Sequence, residues 1–217
     1  MSLVVLAVAT SLFGTDVLVP PIVPFSVGST AKSNFTISAR PEGNEKRLVV
    51  PGTIVCTDKE IDANGLRVYK IALDTKVGTN GKSIYELKTD AYSRPISCIE
   101  LGEKVQQDAT NSLIFMMRQP LWPTTKTAST WKTTLPNPGD IKKPIPVSCS
   151  ATLGRDRKTI TLVQEIIPQA EDQGQGIEFK SVLRVLAKTG QIVSINVTLA
   201  IAEDGKKVIL LQFNEKS

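Results

Sequence analysis

Val193-Ser194-Ile195-Asn196-Val197-Thr198-Leu199-Ala200-Ile201-Ala202 alternates in character at every step. Val193, Ile195, Val197, Leu199 and Ile201 form an apolar row. Ser194, Asn196, Thr198, Ala200 and Ala202 form a polar or small one. Successive side chains of a strand point to opposite faces, so this pattern predicts a strand with one buried face. Lys188-Thr189-Gly190-Gln191 leads back from it to the apolar residues 177–187, and Glu203-Asp204-Gly205-Lys206 leads on to residues 208–213. Both links carry tight-turn chemistry, which joins neighbouring antiparallel strands. The end of the chain is therefore an antiparallel meander.

The same pattern extends upstream. Phe35, Ile37 and Ala39 alternate with Asn34, Thr36 and Ser38, and Pro41-Glu42-Gly43-Asn44 follows as a turn. Residues 48–56 are β-branched and apolar, interrupted by Pro51-Gly52, which predicts an edge or a bulge. Asp62-Ala63-Asn64-Gly65 and Thr79-Asn80-Gly81-Lys82 are hairpin signals on either side of the strand at residues 66–73. Residues 84–89 and 96–101 form a further pair. Residues 103–117 are ambiguous. Val105, Ala109, Leu113 and Met117 recur every fourth residue and permit an amphipathic helix, while residues 112–117 alone would serve as a strand. The expectation there is a loop or a helical turn followed by extended chain. The predicted class is all-β with little helix: two similar antiparallel meander units, built as curved sheets, a sandwich or a half-barrel.

Two units are expected because a header occurs twice. Pro21-Ile22-Val23-Pro24-Phe25-Ser26-Val27-Gly28-Ser29-Thr30-Ala31-Lys32 has a counterpart in Pro120-Leu121-Trp122-Pro123-Thr124-Thr125-Lys126-Thr127-Ala128-Ser129-Thr130-Trp131-Lys132. Each is Pro, two apolar residues, Pro, a spacer, then Ser-Thr-x-Lys. Shorter matches follow in the same order, including residues 51–57 with 146–152, 86–89 with 178–181 and 95–99 with 191–195. The expected division is residues 1–16 as the remnant of an export signal or a first strand, 17–111 as a first β unit and 112–217 as a second. The apolar residues 2–13, with Ala7-Val8-Ala9 as a small-residue cleavage pattern, favour export. The predicted location is periplasmic or extracellular. No stretch is long and apolar enough to predict a transmembrane segment.

Composition narrows the chemistry. A chain of 217 residues with a formal charge of +5 can bury a sizeable core, and its lysines are scattered. With few aromatics beside them, no nucleic-acid partner is expected. The sequence holds no histidine, which removes the commonest general base and metal ligand. Cys56, Cys98 and Cys149 are far apart, allow at most one disulfide, and read best as buried apolar residues. The acidic groups Asp58, Glu60, Asp62 and Glu171-Asp172 lack calcium-loop spacing and read as solvated turns. Ser29 with Lys32, or Ser129 with Lys132, has the bare Ser-x-x-Lys spacing, but its repetition favours a structural header over a nucleophile. No catalytic residue, metal ligand or cofactor is predicted, and the chain is expected not to be an enzyme. Asn34 and Asn196 stand in glycosylation triplets that matter only in a eukaryotic secreted protein.

The candidate binding residues are Trp122 and Trp131, as a stacking pair, and Val193, Ile195, Val197 and Leu199, as the wall of an apolar concavity. The competing reading of the tryptophans is a plug covering the open end of a sheet. In pattern the chain resembles uncharacterised exported bacterial β-sheet proteins in which a Gly-Asp-x-Trp-like header precedes each sheet. The matching positions here are Gly28-Ser29-Thr30-Ala31 and Ala128-Ser129-Thr130-Trp131, with the acidic position absent from both. The meander is also similar to the curved half-barrel of periplasmic lipoprotein carriers. The resemblances imply no activity. A curved sheet with one apolar face can hold a lipid or other apolar ligand in its concavity, so the expected function is a binding or carrier module. The alternative is a structural envelope component that meets another envelope protein, and a hydrolase using a Ser-Lys dyad is the least favoured reading.

Overall fold

A computed structural model describes residues 24–40, 46–75, 81–102, 109–123, 129–138, 140, 142–168, 178–203 and 206–216; in the final hairpin, side chains are described to residue 201 and again from residue 208. The elements are β1 (Thr30–Ala39), β2 (Leu48–Ile61), β3 (Arg67–Thr75), β4 (Lys82–Thr89), β5 (Pro95–Leu101), α1 (Ala109–Met117), β6 (Thr130–Leu135), β7 (Ile145–Leu153), β8 (Thr159–Ile166), β9 (Glu178–Leu186), β10 (Ile192–Glu203) and β11 (Lys206–Lys216). All pairings are antiparallel, and the strands form one sheet in the order β5-β4-β3-β2-β1-β11-β10-β9-β8-β7-β6. Two meanders thus meet where β1 pairs with β11, Phe35 opposite Glu215 and Ile37 opposite Phe213. The sheet curls into a nearly closed barrel, and α1 is the one helix among the described residues. The predicted class is what the structure shows.

The two meanders begin alike. The carbonyl of Ser29 accepts Asp58 N–H at 2.9 Å, and that of Ser129 accepts Ala151 N–H at 2.9 Å. Two residues on, Ala31 pairs with Cys56 and Trp131 with Cys149. The strand register therefore aligns Cys56 with Cys149, two residues away from the proline-to-proline match suggested by residues 51–57 and 146–152. Pro51 itself lies inside β2, yet pairing with β3 starts only at Gly52, so its missing N–H costs no ladder bond on that side. The register shift in β2 falls at Asp58/Glu60 instead. The Asp62–Gly65 hairpin forms as predicted, with Gly65 at φ 77°. The predicted turns at residues 41–44 and 79–80, the Asp172 loop and the leader at residues 2–13 lie outside the described residues.

Residues 112–117 are helical, so neither the strand alternative nor a single turn describes them; α1 runs for nine residues. Its setting explains the choice. Ile114, Phe115, Met116 and Met117 are all buried, and burial on every side suits a helix laid across the inner face of a curved sheet better than a strand. Extended chain follows, with Leu121 and Trp122 buried as well. These residues pack in one cluster with inward side chains from both meanders, among them Ile54, Ile71, Leu87, Leu162, Leu183 and Phe213.

The row Val193 to Ile201 is shorter than its sequence pattern. Ile195 and Val197 are buried in the cluster and Leu199 packs against it, but register shifts occur at Ile192/Ser194 and at Leu199/Ala200. At the first shift the extra residue is Val193 itself, so Ile192 and not Val193 packs on the cluster. At the second the extra residue is Leu210 of β11, and Ala200 is the buried residue beyond it.

Candidate functional site

The first header forms one rim of a cleft at an end of the nearly closed barrel. Gly28, at φ 83°, closes the turn in which Ser29 N–H bonds Ser26 C=O. Asp58 fastens this turn to β2, accepting Ser26 N–H on its carboxylate at 3.0 Å and Gly28 N–H on its carbonyl at 2.8 Å. Phe25 stands edge-on to Tyr69 at 5.3 Å, with the Arg67 guanidinium 5.5 Å from its ring centre. Burial raises the Tyr69 hydroxyl above its ordinary value, so it stays protonated and able to donate.

The cleft has a volume of about 640 Å³. Pro24, Ala31, Cys56, Tyr69 and Ile192 supply its apolar lining, and the turns at Ser93 and Thr189–Gln191 close other sides. Arg118 and Glu215 also line it. Arg118 Nε and Nη2 each donate to a Glu215 carboxylate oxygen at 2.6 Å, and Ser33 Oγ donates to the same carboxylate at 2.5 Å. Burial alone would lower the Arg118 value, but the Glu215 charge and its hydrogen bonds hold it above the ordinary one. The guanidinium is therefore a fixed cation, and the fork-on-fork geometry is the strong form of such a pair.

A second polar fastening sits deeper. Gln164, fully buried on β8, donates Nε2–H to Met117 C=O at 3.0 Å and accepts Leu121 N–H on Oε1 at 2.7 Å. Trp131 Nε1–H donates to Leu121 C=O at 2.9 Å. Trp122 is buried in the core, and its Nε1 has no partner among the described residues. The two tryptophans thus belong to the packing that seats α1 and the extended segment after it, and neither lines the cleft.

Of the other predicted binding residues, Ile195, Val197 and Leu199 lie in or against the packed cluster, and Val193 lies outside it. The structure brings none of these to the cleft; Ile192 is the β10 residue there. Ser29 and Lys32 line the cleft, whereas Ser129 and Lys132 do not. All three cysteines are free. Burial pushes the Cys98 and Cys149 thiols up to about 12, while at Cys56 the rise from burial is opposed by the Arg118 charge. Asn34 is exposed, and Asn196 is engaged, its Nδ2–H donating to Asn214. Among the described residues no group of acidic or cysteine side chains could hold a metal ion. No described helix is long and apolar enough to cross a membrane.

Arg118, Glu215 and Gln164 were missed by sequence reasoning, although two carried a signal. Glu215 continues the row Leu211, Phe213, and Gln164 interrupts the row Ile160, Leu162, Ile166. A polar residue at apolar parity is one that the fold must satisfy from elsewhere. No known family model matches this chain, and no curated protein sequence matches it.

Proposed function

We propose that this is a non-catalytic exported protein, a binding or carrier module that holds a small amphiphile in the cleft at the end of its barrel. The observation that carries this reading is the cleft itself. Its volume of about 640 Å³ is ordinary for small-molecule sites, which favour the mouths of β-barrels and combine apolar walls with a few fixed polar groups. Tyr69, Cys56 and Ile192 are such walls, and the Arg118–Glu215 pair is such a group. The ligand site is thereby moved from the row Val193–Ile201 to the barrel end. Export rests on the apolar leader, and the non-enzymatic reading on the absence of histidine. Duplication of one β unit is part of the same proposal; the matched register of Cys56 and Cys149 supports it.

A structural role in the envelope is the second reading. It is favoured by the closed packing at Ile195 and Val197, which are buried in the core cluster rather than left open. Native mass spectrometry of protein purified from its own host separates the two. A co-purifying small molecule is expected. Ligand-free protein whose thermal midpoint does not respond to added amphiphiles would leave the structural reading in place. N-terminal sequencing of the same material tests export: a mature chain lacking the leader is expected.

A further inference from the structure

The charged side chains that line the cleft are Lys32 and Arg118 against Asp58 and Glu215, two of each sign. Arg118 and Glu215 are also neutralised by each other at 2.6 Å. A ligand with a net charge would lose its hydration here and meet no opposing excess charge. Hydrogen-bonding capacity is abundant by contrast. Glu215 engages two of the five guanidinium N–H donors, which leaves three outside the pair. Gln119, Thr189 and Gln191 line the same space.

Ser93 adds an independent observation. It is 2% exposed, it lines the cleft, and its Oγ has no partner among the described residues. Its backbone is held at φ 64°, where a side chain other than glycine is uncommon. The turn around it enforces that conformation. The Asp90 carboxylate accepts Tyr92 N–H at 2.8 Å and Arg94 N–H at 3.0 Å, and Asp90 C=O accepts Ser93 N–H at 3.1 Å. Trp122 Nε1 and the hydroxyls of Ser112 and Ser181 are also buried without a partner among the described residues. Of these groups only Ser93 lines the cleft and sits on a strained, clasped backbone, which fits a ligand contact.

Resting on the binding function above, we propose that the cleft takes the headgroup of a neutral, hydroxyl-rich amphiphile, a sugar or polyol head on an apolar tail. Ser93 and the remaining donors of Arg118 bond its hydroxyls, and Tyr69 and Ile192 contact its apolar part. A hydroxyl both donates and accepts, so it can meet Arg118, Glu215 and the neighbouring amides without bringing a charge.

Isothermal titration calorimetry on the full chain tests this with three monomeric surfactants of equal tail: octyl glucoside, octyl sulfate and octyltrimethylammonium. The glucoside is expected to bind one per chain, about tenfold or more tighter than either charged analogue. Ser93→Ala and Ser93→Gly are each expected to weaken it by about twofold to tenfold, as the loss of one hydrogen bond does. Glycine accepts the positive φ, so Ser93→Gly keeps the turn and separates lost binding from lost folding. A charged analogue that binds as tightly as the glucoside, or a glucoside affinity unchanged in both variants, would overturn the headgroup assignment and leave the binding function standing. No binding of any of the three would overturn both.

Discussion

Arg118, the residue after α1, is paired across 97 residues with Glu215, near the end of β11, by two hydrogen bonds of 2.6 Å. The side chains are 9% and 1% exposed. The pair ties the helix inside the barrel to the strand that joins the two meanders. Because both ions are desolvated, removing one partner strands the other, at a cost of about 3–5 kcal/mol, whereas replacing both costs far less. Glu215→Leu and Arg118→Met are each expected to lower the urea midpoint sharply, and the two combined to recover most of the loss. A double variant as unstable as the sum of the singles would show that the two do not act as a unit.

Gln164 seats the segment after α1 through two backbone bonds, to Met117 and Leu121. Gln164→Leu keeps much of the volume but leaves a buried C=O and a buried N–H unsatisfied, each at about 1–3 kcal/mol. The expected result is a destabilised protein whose amides at residues 114–122 exchange faster than those of β8. Uniform faster exchange throughout would mean that the clasp stabilises the whole barrel rather than the plug.

Ile96 and Val193 show how far the strands were legible and why the rest was not. Opposite Ile96 the β4 register shifts between Lys88 and Thr89; opposite Val193 the β9 register shifts at the matching place. Each is an extra residue in the fifth strand of its meander. Alternation identified both strands, because period two is a local property. The shifts were not legible, since an apolar residue fits the pattern whether it pairs or bulges. The site was less legible still. Arg118 and Glu215 are far apart in sequence, and only the packing of the segment after α1 against β11 makes them neighbours. Residues 112–117 had no decisive period because the helix they form is buried on nearly every side.

Gly52 lies opposite Phe35 in the β1–β2 register. A Cβ there would stand 2.4 Å from Phe35 Cζ and 2.7 Å from the Asp74 carbonyl oxygen. The ring cannot swing away freely, because it stacks on Phe213 at 5.4 Å. Gly52→Ala is therefore expected to destabilise by about 1–3 kcal/mol as overpacking does, despite the better strand propensity of alanine. Phe35→Leu in the same chain, by shortening the ring side of the clash, is expected to return part of the loss in a denaturation cycle.

Asp62 and Asp156 each cap a turn, one in either meander. The N–H of Leu66, with that of Asn64 and the Lys88 ammonium, holds Asp62 below its ordinary value of 3.8. The N–H of Lys158, with the groups of Thr159, does the same for Asp156. The unfolded values are higher than the folded ones, so protonation favours the unfolded chain. Their contribution is complete well above 3.8 and disappears as pH falls through the lower folded values. The substitutions Asp62→Asn and Asp156→Asn keep an acceptor but not the charge. They are expected to flatten the acid limb of the thermal midpoint below that point and to leave its shape near neutrality unchanged. An acid limb as steep in the double variant as in the parent chain would mean that other carboxylates set it.

The three thiols separate by environment. Cys98 and Cys149 are 4% and 2% exposed, and burial pushes both up to about 12, so almost no thiolate exists at neutral pH. Cys56 is half-buried, lines the cleft and has the Arg118 charge opposing the effect of burial. The thiolate is the reactive form, so alkylation by iodoacetamide at about pH 8 is expected to label Cys56 first. Peptide mass mapping should find Cys98 and Cys149 modified only after unfolding. A bound amphiphile should slow the Cys56 reaction, and Glu215→Gln should change its rate, because both alter the surroundings of the Arg118 guanidinium. Equal labelling of the three thiols in the folded protein would contradict the barrel packing that buries the other two.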